Sequence, residues 1–298
     1  MSVPRRSAFT LTELLVVIAI IVVLLGLLIP GVMQIRAMAS KTKCANNLRQ
    51  IGLALHMYHE SKRSFPAGMR YSNGRDPYYL MSWQAQLLPY IEEASVWEMA
   101  EQDYKSGRNP LNPPHRGLAT RVPLYICPSD PQADQVQIAR RELYVVALTS
   151  YLGVSGKDLS TLDGVFFRDS HTNFDSITDG TSKTLLVGER PASPDYQFGW
   201  WYAGAGQNFT GSADMFLGVT ERNVLPAWMA PCPPGPYQYG PGRLDNQCDM
   251  FHFWSLHSGG ANFVFADCHV QFIAYSGVKA MPALATRAGR DNFGLEDY

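Results

Sequence analysis

An excess of charge of either sign is what this sequence most lacks: 25 Lys and Arg face 26 Asp and Glu, for a formal net charge of −1. A protein whose main partner is nucleic acid needs a concentrated basic surface to neutralise phosphate, so that class is excluded. Charged residues make up 17% of the chain, below the roughly 25% usual for soluble domains. The sequence contains no C-x2-C pair, so a zinc signature is weak. It has no G-x-S-x-G elbow, which removes the usual sequence sign of an α/β-hydrolase. No phosphate-cradling glycine loop or dinucleotide fingerprint is present, Gly204-Ala205-Gly206 being too short. No internal repeat is visible, which argues against a solenoid. Against these absences stand a hydrophobic fraction of 46%, enough to exclude wholesale disorder, and 25 Gly with 20 Pro, which indicate a turn-rich globular body.

The apolar residues are concentrated at one end. Leu14 to Met33 is a run of twenty residues without a charge, and a helix of that length spans about 30 Å, the thickness of the bilayer hydrocarbon. Val16, Val17, Ile18, Ile20, Ile21, Val22 and Val23 are β-branched and weaken an isolated helix in water. In lipid the open backbone of a strand costs far more, so the helix wins. Arg5 and Arg6 form a short basic leader that belongs on the cytoplasmic side, although Arg36, Lys41, Lys43 and Arg49 beyond the run outnumber them. A secretory signal ending at Ala37-Met38-Ala39, before Ser40, is disfavoured because the apolar run is too long and Arg36 adjoins the cut.

The wording from Ala8 through Phe9 and Glu13 to Ile21 resembles the type IV prepilin leader and mature N-terminus shared by pilins and type II secretion pseudopilins. The resemblance implies cleavage between Ala8 and Phe9 by a prepilin peptidase, with methylation of the new amine. Ala8 stands where that family usually has Gly. Glu13 gives the resemblance a physical basis, since a carboxylate at the edge of a long apolar run is costly without a counter-ion. In the family the matching Glu meets the terminal amine of a neighbouring subunit, so Glu13 implies self-assembly through the helix. The bland alternatives are a Glu that snorkels to the headgroups and a plain anchor that never polymerises.

Beyond Pro30 and Gly31, where a kink is expected, the pattern turns amphipathic. Cys44, Leu48, Ile51, Leu55 and Tyr58 fall on one helical face, predicting a single long helix from about Phe9 to Glu60 that ends before Pro66 and Gly68. Trp83 to Tyr90 and Ile91 to Tyr104 read as short helical pieces, and Arg108 to Arg121 as a loop. β-Prone runs follow at Tyr144 to Leu148, Gly164 to Phe167, Thr184 to Val187 and Trp200 to Ala203. The strongest strand signal is Asn262 to Ala266 and His269 to Ile273 around Asp267-Cys268, a hairpin with a two-residue connection. Position 268 of such a turn needs positive φ, and a Cys there means strain or another turn.

This C-terminal wording is similar to a narrower bacterial pseudopilin-like family of unknown function, which carries a His-x9-Asp-Gly motif after a prepilin leader. His257 and Asp267 match the motif, with Cys268 in place of Gly. Further matches are Cys44 to Leu55, Leu124 to Asp130, Ile177 to Arg190 and Ala285 to Gly289, so the likeness covers nearly the whole chain. Five cysteines in an exported domain point to an oxidising setting, and their odd count leaves at least one unpaired if bridges form. The resemblance implies a Cys44–Cys127 pair; Cys232, Cys248 and Cys268 then compete for a second bridge.

Metal and catalytic readings are weaker. Asp175, Asp179, Thr181, Ser182 and Glu189 gather hard oxygens of the kind calcium prefers, and pseudopilins often bind calcium in terminal loops. Asp179-Gly180-Thr181-Ser182 serves equally as a capped turn. Cys248, Asp249, His252, His257, Asp267, Cys268 and His269 concentrate zinc-type ligands, but a disulfide with hydrogen-bonded histidines, His257 against Asp267, explains them too. A Ser-His-Asp site would have to draw on His171, His257 and Asp267. Phe198, Trp200, Trp201, Tyr202 and Trp254 offer either a sugar-stacking platform or core.

The expectation is an α+β, pilin-like fold: residues 1–8 a leader, 9–33 a transmembrane helix, 34–60 its amphipathic continuation, and 61–298 an extracytoplasmic β-rich domain with an antiparallel sheet and long loops. With the resemblance, this implies a non-enzymatic subunit of a type II secretion-like or type IV pilus-like filament, in the inner membrane, with like subunits, the prepilin peptidase and lipid as partners. The second reading is a membrane-tethered domain that binds glycans or a metal without polymerising.

Overall fold

The computed structural model describes residues 11–72, 76–139 and 144–290, so Ala8 and Phe9 lie outside the described residues. The chain divides into two compact units, Met1–Thr42 and Lys43–Tyr298. One helix, α1 (Leu11–Lys62, 52 residues), contributes to both and holds Pro30 within its length. In the first unit its apolar side chains are uncovered, with Val22 68% and Leu27 73% exposed. This stretch is long and apolar enough to cross a membrane.

In the second unit the same helix becomes one-sided. Cys44, Asn47, Leu48, Ile51, Gly52, Ala54 and Leu55 are buried while Leu53 and Met57 are exposed, the alternation expected of a helix on a core. Each fully buried Leu or Ile contributes about 1.5–3 kcal/mol. The helix ends two residues beyond the sequence expectation, where Arg63 takes a left-handed φ of 60° and its N–H closes on the His59 carbonyl at 2.7 Å.

Two short helices follow, α2 (Trp83–Leu87) and α3 (Ala94–Ser106), the former capped by Ser82, whose Oγ accepts from Ala85 N–H at 2.9 Å. Strands β1 (Gln137–Ile138) and β2 (Val145–Val146) make a minor antiparallel pair. The principal sheet is built from β3 (Tyr151–Gly156), β4 (Leu185–Glu189), β5 (Phe216–Gly218), β8 (Gly260–Phe265) and β9 (Val270–Ala274), in the order β5-β3-β4-β8-β9. Between them β6 (Thr220–Glu221) pairs with β7 (Tyr237–Gln238). The sheet is mixed and not purely antiparallel as the sequence suggested, because β5 runs parallel to β3. β4 returns the chain antiparallel to β3, and the long segment from Arg190 to Met215 then carries it past β3 to the other edge, where β5 runs in the direction of β3.

Strand alternation sends side chains to two cores. Tyr151, Leu186, Val187, Val264 and Ala266 join the α1 face, whereas Leu152, Val154, Leu185, Phe263 and Phe265 join Met281 and Leu284 on the other side. Those last two lie on α4 (Met281–Ala285). Gly164–Phe167 and Trp200–Ala203 form no strand. The first follows β3 through Gly164 N–H to Ser155 carbonyl (3.0 Å) and Phe166 N–H to Val154 carbonyl (3.2 Å), and the second makes only single bridges to Leu148 and Met81.

The hairpin between β8 and β9 has a three-residue loop instead of the expected two. Phe265 N–H donates to His269 carbonyl at 3.0 Å, Cys268 N–H to Phe265 carbonyl at 2.9 Å, and Cys268 sits at φ 68°. The left-handed position is therefore real, and a Cβ there costs roughly 1–2 kcal/mol. Cys268→Gly is expected to raise the thermal midpoint by a few degrees; a midpoint unchanged or lowered in a melting experiment would show that Cys268 packing against Gly52 outweighs the strain. A Cβ on Gly52 would stand 2.9 Å from Val264 Cγ2 and 3.4 Å from Cys268 Sγ, so glycine is required for α1 to lie against this hairpin.

Candidate functional site

Four segments distant in sequence meet beneath the α1 face. Cys44 comes from α1, Cys127 from the turn after Pro123–Tyr125, Glu189 from the end of β4, and His257 from the loop before β8. Their ligand atoms all lie within 4.8 Å of one another and all four residues are buried. Cys44 and Cys127 are joined as a disulfide, with Cα atoms 5.2 Å apart. His257 Nε2 stands 3.2 Å from Glu189 Oε1 and 3.5 Å from Cys127 Sγ.

The backbone explains why these groups converge. Asn47, one turn beyond Cys44 on α1, donates through Nδ2 to Ile126 carbonyl (3.0 Å) and to Tyr151 Oη (3.3 Å), which fastens the Cys127 turn to the helix. Cys127 N–H donates to Ser150 Oγ at 3.1 Å. Across the sheet, Asn262 holds the carboxylate: its backbone N–H meets Glu189 Oε2 at 2.6 Å, and its Nδ2 reaches Oε1 at 3.1 Å and Oε2 at 3.2 Å. Ser255 Oγ receives the His257 N–H at 3.0 Å and donates to Gly260 carbonyl at 2.7 Å, fixing the loop that presents the ring. Ser255 thus bonds the His257 backbone, while the ring faces a carboxylate and a sulfur, so the serine-hydrolase arrangement is not assembled. His171 is exposed and apart from it.

Beside the cluster lies a buried charge network that sequence reasoning missed. Arg190, fully buried, donates to the carbonyls of Pro191 (2.9 Å) and Ala213, and its Nε finds no partner among the described residues. Burial lowers its pKa to about 10, against the nearby Asp214 and Asp130. Burial likewise raises Asp130, and raises Asp214 from 3.8 to about 6, although Gly199 and Trp200 N–H groups each donate to Asp214 at 2.9 Å. The folded chain therefore keeps the Asp214 proton at pH values where the unfolded chain has lost it. Stability from this group is complete below about pH 4 and is lost as the pH rises through about 6. Two pKa units correspond to ~3 kcal/mol. In urea titrations, Asp214→Asn is expected to gain on the parent chain between about pH 4 and 7; a difference that does not vary with pH would refute it.

Other candidate residues separate. Asp175, Asp179 and Glu189 do not form the proposed calcium set: Asp175 is exposed, Glu189 belongs to the buried cluster, and Asp179 is taken by Thr286 Oγ1 (3.1 Å) and the N–H groups of Gly289 (2.6 Å) and Arg290 (2.8 Å). Those N–H donors make Asp179 the lock of a turn. The zinc-type set divides three ways. Cys248 bridges to Cys232, Asp249 pairs with His252 Nε2 at 3.1 Å, and Asp267 pairs with His269 Nδ1 at 2.5 Å. Asp267 is thus the partner of His269 and not of His257; two residues on one hairpin loop meet more readily than two separated by a strand. Cys268 is a free thiol, pushed up to about 11 by burial. Phe198, Trp200, Trp201, Tyr202 and Trp254 are all buried, so no exposed sugar platform exists at these residues. Among the described residues, the Cys44, Cys127, Glu189 and His257 group is the only convergence of three or more metal-ligating side chains.

A family model described as a protein of unknown function, DUF1559, matches residues 33–277. The chain belongs to that family. A second model, the prokaryotic N-terminal methylation motif, matches residues 3–29. No curated protein and no solved structure matches the chain. This DUF1559 chain is thus a pilin-like protein with a prepilin-type motif, as its leader wording suggested, and the one long apolar helix among the described residues fits a single-pass anchor carrying a C-terminal domain. All four clustered residues sit within segments or motif positions on which the family likeness was read, but nothing in their spacing linked Glu189 to His257. An acid and a base closing the apolar run Leu185 to Arg190 was the available signal.

Proposed function

We propose that the protein is a non-enzymatic, pseudopilin-like subunit: cut between Ala8 and Phe9, anchored in the inner membrane through Leu14–Met33, with its sheet domain outside the cytoplasm. Copies pack their N-terminal helices together, Glu13 meeting the new amine of a neighbour, and build a type II secretion-like or type IV pilus-like filament. The reading rests on one observation, a prepilin-type methylation motif that leads directly into a helix whose apolar side chains are uncovered. Such a surface needs lipid or other helices around it. Glu13 lies four residues along the sequence from the expected amine, at the edge of that surface, where low dielectric strengthens a charge pair.

The test is the identity of the first residue. Chain purified from membranes that contain the prepilin peptidase is expected to begin at N-methylated Phe9 by mass spectrometry of its N-terminal peptide. A chain that keeps Met1, or one that starts at Ser40, defeats the proposal.

A further inference from the structure

The buried Cys44–Cys127–Glu189–His257 cluster holds more chemistry than a structural disulfide uses. A disulfide needs only two sulfurs in suitable geometry, and its surroundings can be wholly apolar. Here a carboxylate and an imidazole, with side chains 2% and 4% exposed, are brought to the same point as the sulfurs. Taking both out of water is costly, and their mutual contact repays that only in good geometry. Both are also held in place from behind, Glu189 by the Asn262 N–H and Nδ2 and His257 by the bond from its backbone to Ser255. The Asn262 contacts to the Glu189 carboxylate are outer contacts of the kind that orient a metal ligand, while Ser255 fixes the backbone from which the His257 ring projects.

We propose that the dithiol form of this chain binds one zinc ion through Cys44 Sγ, Cys127 Sγ, His257 Nε2 and Glu189 Oε1. Two thiolates, one imidazole and one carboxylate make a closed four-ligand set of the structural zinc type. A tetrahedron with zinc bonds of about 2.0–2.3 Å has edges of roughly 3.3–3.8 Å. The Nε2–Sγ distance of 3.5 Å fits such an edge, the Nε2–Oε1 distance of 3.2 Å falls just short, and every other donor pair lies within 4.8 Å. Only the two sulfurs must separate, which reduction allows. Binding is balanced by proton release: zinc replaces the two thiol protons, which pass to solvent, and no electron is transferred. The cluster thus joins α1 to the sheet in either redox state, by an S–S bond when oxidised and by a metal when the thiols are free. The proposal concerns the domain alone and stands or falls independently of filament assembly.

The experiment uses the full chain in detergent, carrying Cys232→Ser, Cys248→Ser and Cys268→Ser so that its only sulfhydryls come from the cluster. After reduction by a phosphine under argon, zinc is titrated against a chromophoric chelator, and cobalt(II) is added in a parallel sample. The expected result is one zinc per reduced chain and none in the oxidised chain, with cobalt giving the intense visible bands of a tetrahedral site and a near-ultraviolet thiolate band. His257→Ala and Glu189→Gln, each keeping the disulfide-forming cysteines, are expected to weaken zinc by at least the roughly 10–100-fold lost when only an outer contact is removed. If the reduced chain loses its near-ultraviolet circular dichroism, zinc is expected to restore it. Absence of binding after reduction, equal binding by the oxidised chain, unaltered affinity in both variants, or a reduced chain that zinc fails to refold each overturns the proposal.

Discussion

Glu13→Ala is expected to leave the chain inserted in the membrane and to remove the proposed assembly. Replacing a carboxylate by a methyl in an apolar helix makes insertion easier by a few kcal/mol, so carbonate-resistant membrane association is expected to persist or rise. Assembly moves the other way. In the mature chain Glu13 lies four residues from the expected Phe9 amine, and the pair formed between copies would sit among exposed valines, isoleucines and leucines. Removing one partner of a desolvated charge pair costs about 3–5 kcal/mol, which corresponds to at least a roughly 100-fold loss of association. Cross-linking in membranes reads the result as loss of the oligomer ladder at unchanged expression. Glu13→Asp is expected to recover part of it, and an unaltered ladder in Glu13→Ala would remove the charge pair from the account.

The second large effect belongs to the domain. Cys44 and Cys127 close a loop with a sequence separation of 83, Cys232 and Cys248 one of 16. Chain entropy alone gives about 4–5 kcal/mol for the first and about 3 kcal/mol for the second. Beyond entropy, Cys44→Ser with Cys127→Ser puts two hydroxyls into a buried site already holding Glu189 and His257. The long-loop double variant is therefore expected to melt at least ~8 °C below the parent and below the Cys232→Ser, Cys248→Ser variant. Equal midpoints for the two double variants, measured by circular dichroism, would count against the cluster as the principal tie between helix and sheet.

How much of this was legible in the sequence depended on the range of the signal. The α1 pattern was readable because helical periodicity is local: Cys44, Leu48, Ile51 and Leu55 at steps of three and four are buried in the structure. The β8–β9 hairpin was readable for the same reason, alternation across one turn, although the loop gained a residue. Strand β3, Tyr151–Gly156, went unread because it is buried on both faces and carries two glycines and a serine, so neither alternation nor β-branching marks it. β5 is three residues long and parallel to β3, a pairing that no local pattern announces. The site fared likewise. The sequence marks His257 and Cys44, yet it places Glu189 with a calcium loop, because Asp179 and Thr181 are near it along the chain. The sheet instead carries Glu189 to the opposite end of β4 from that turn, beside Asn262. The electrostatic influence of Asp214 on Arg190 acts across an irregular connection and leaves no periodic trace.

The position of the Cys44–Cys127 bond along α1 has a mechanical consequence. Travelling outward from Leu11, the first fully buried side chain of the helix is Cys44, followed by Asn47, Leu48, Ile51 and Leu55. A pull applied along the helix from its apolar end thus meets a covalent bond before it can peel the apolar contacts one at a time. Noncovalent knobs yield in sequence under tension, whereas an S–S link must break outright. A subunit built this way would transmit force to its sheet without unravelling, provided its surroundings keep that bond oxidised.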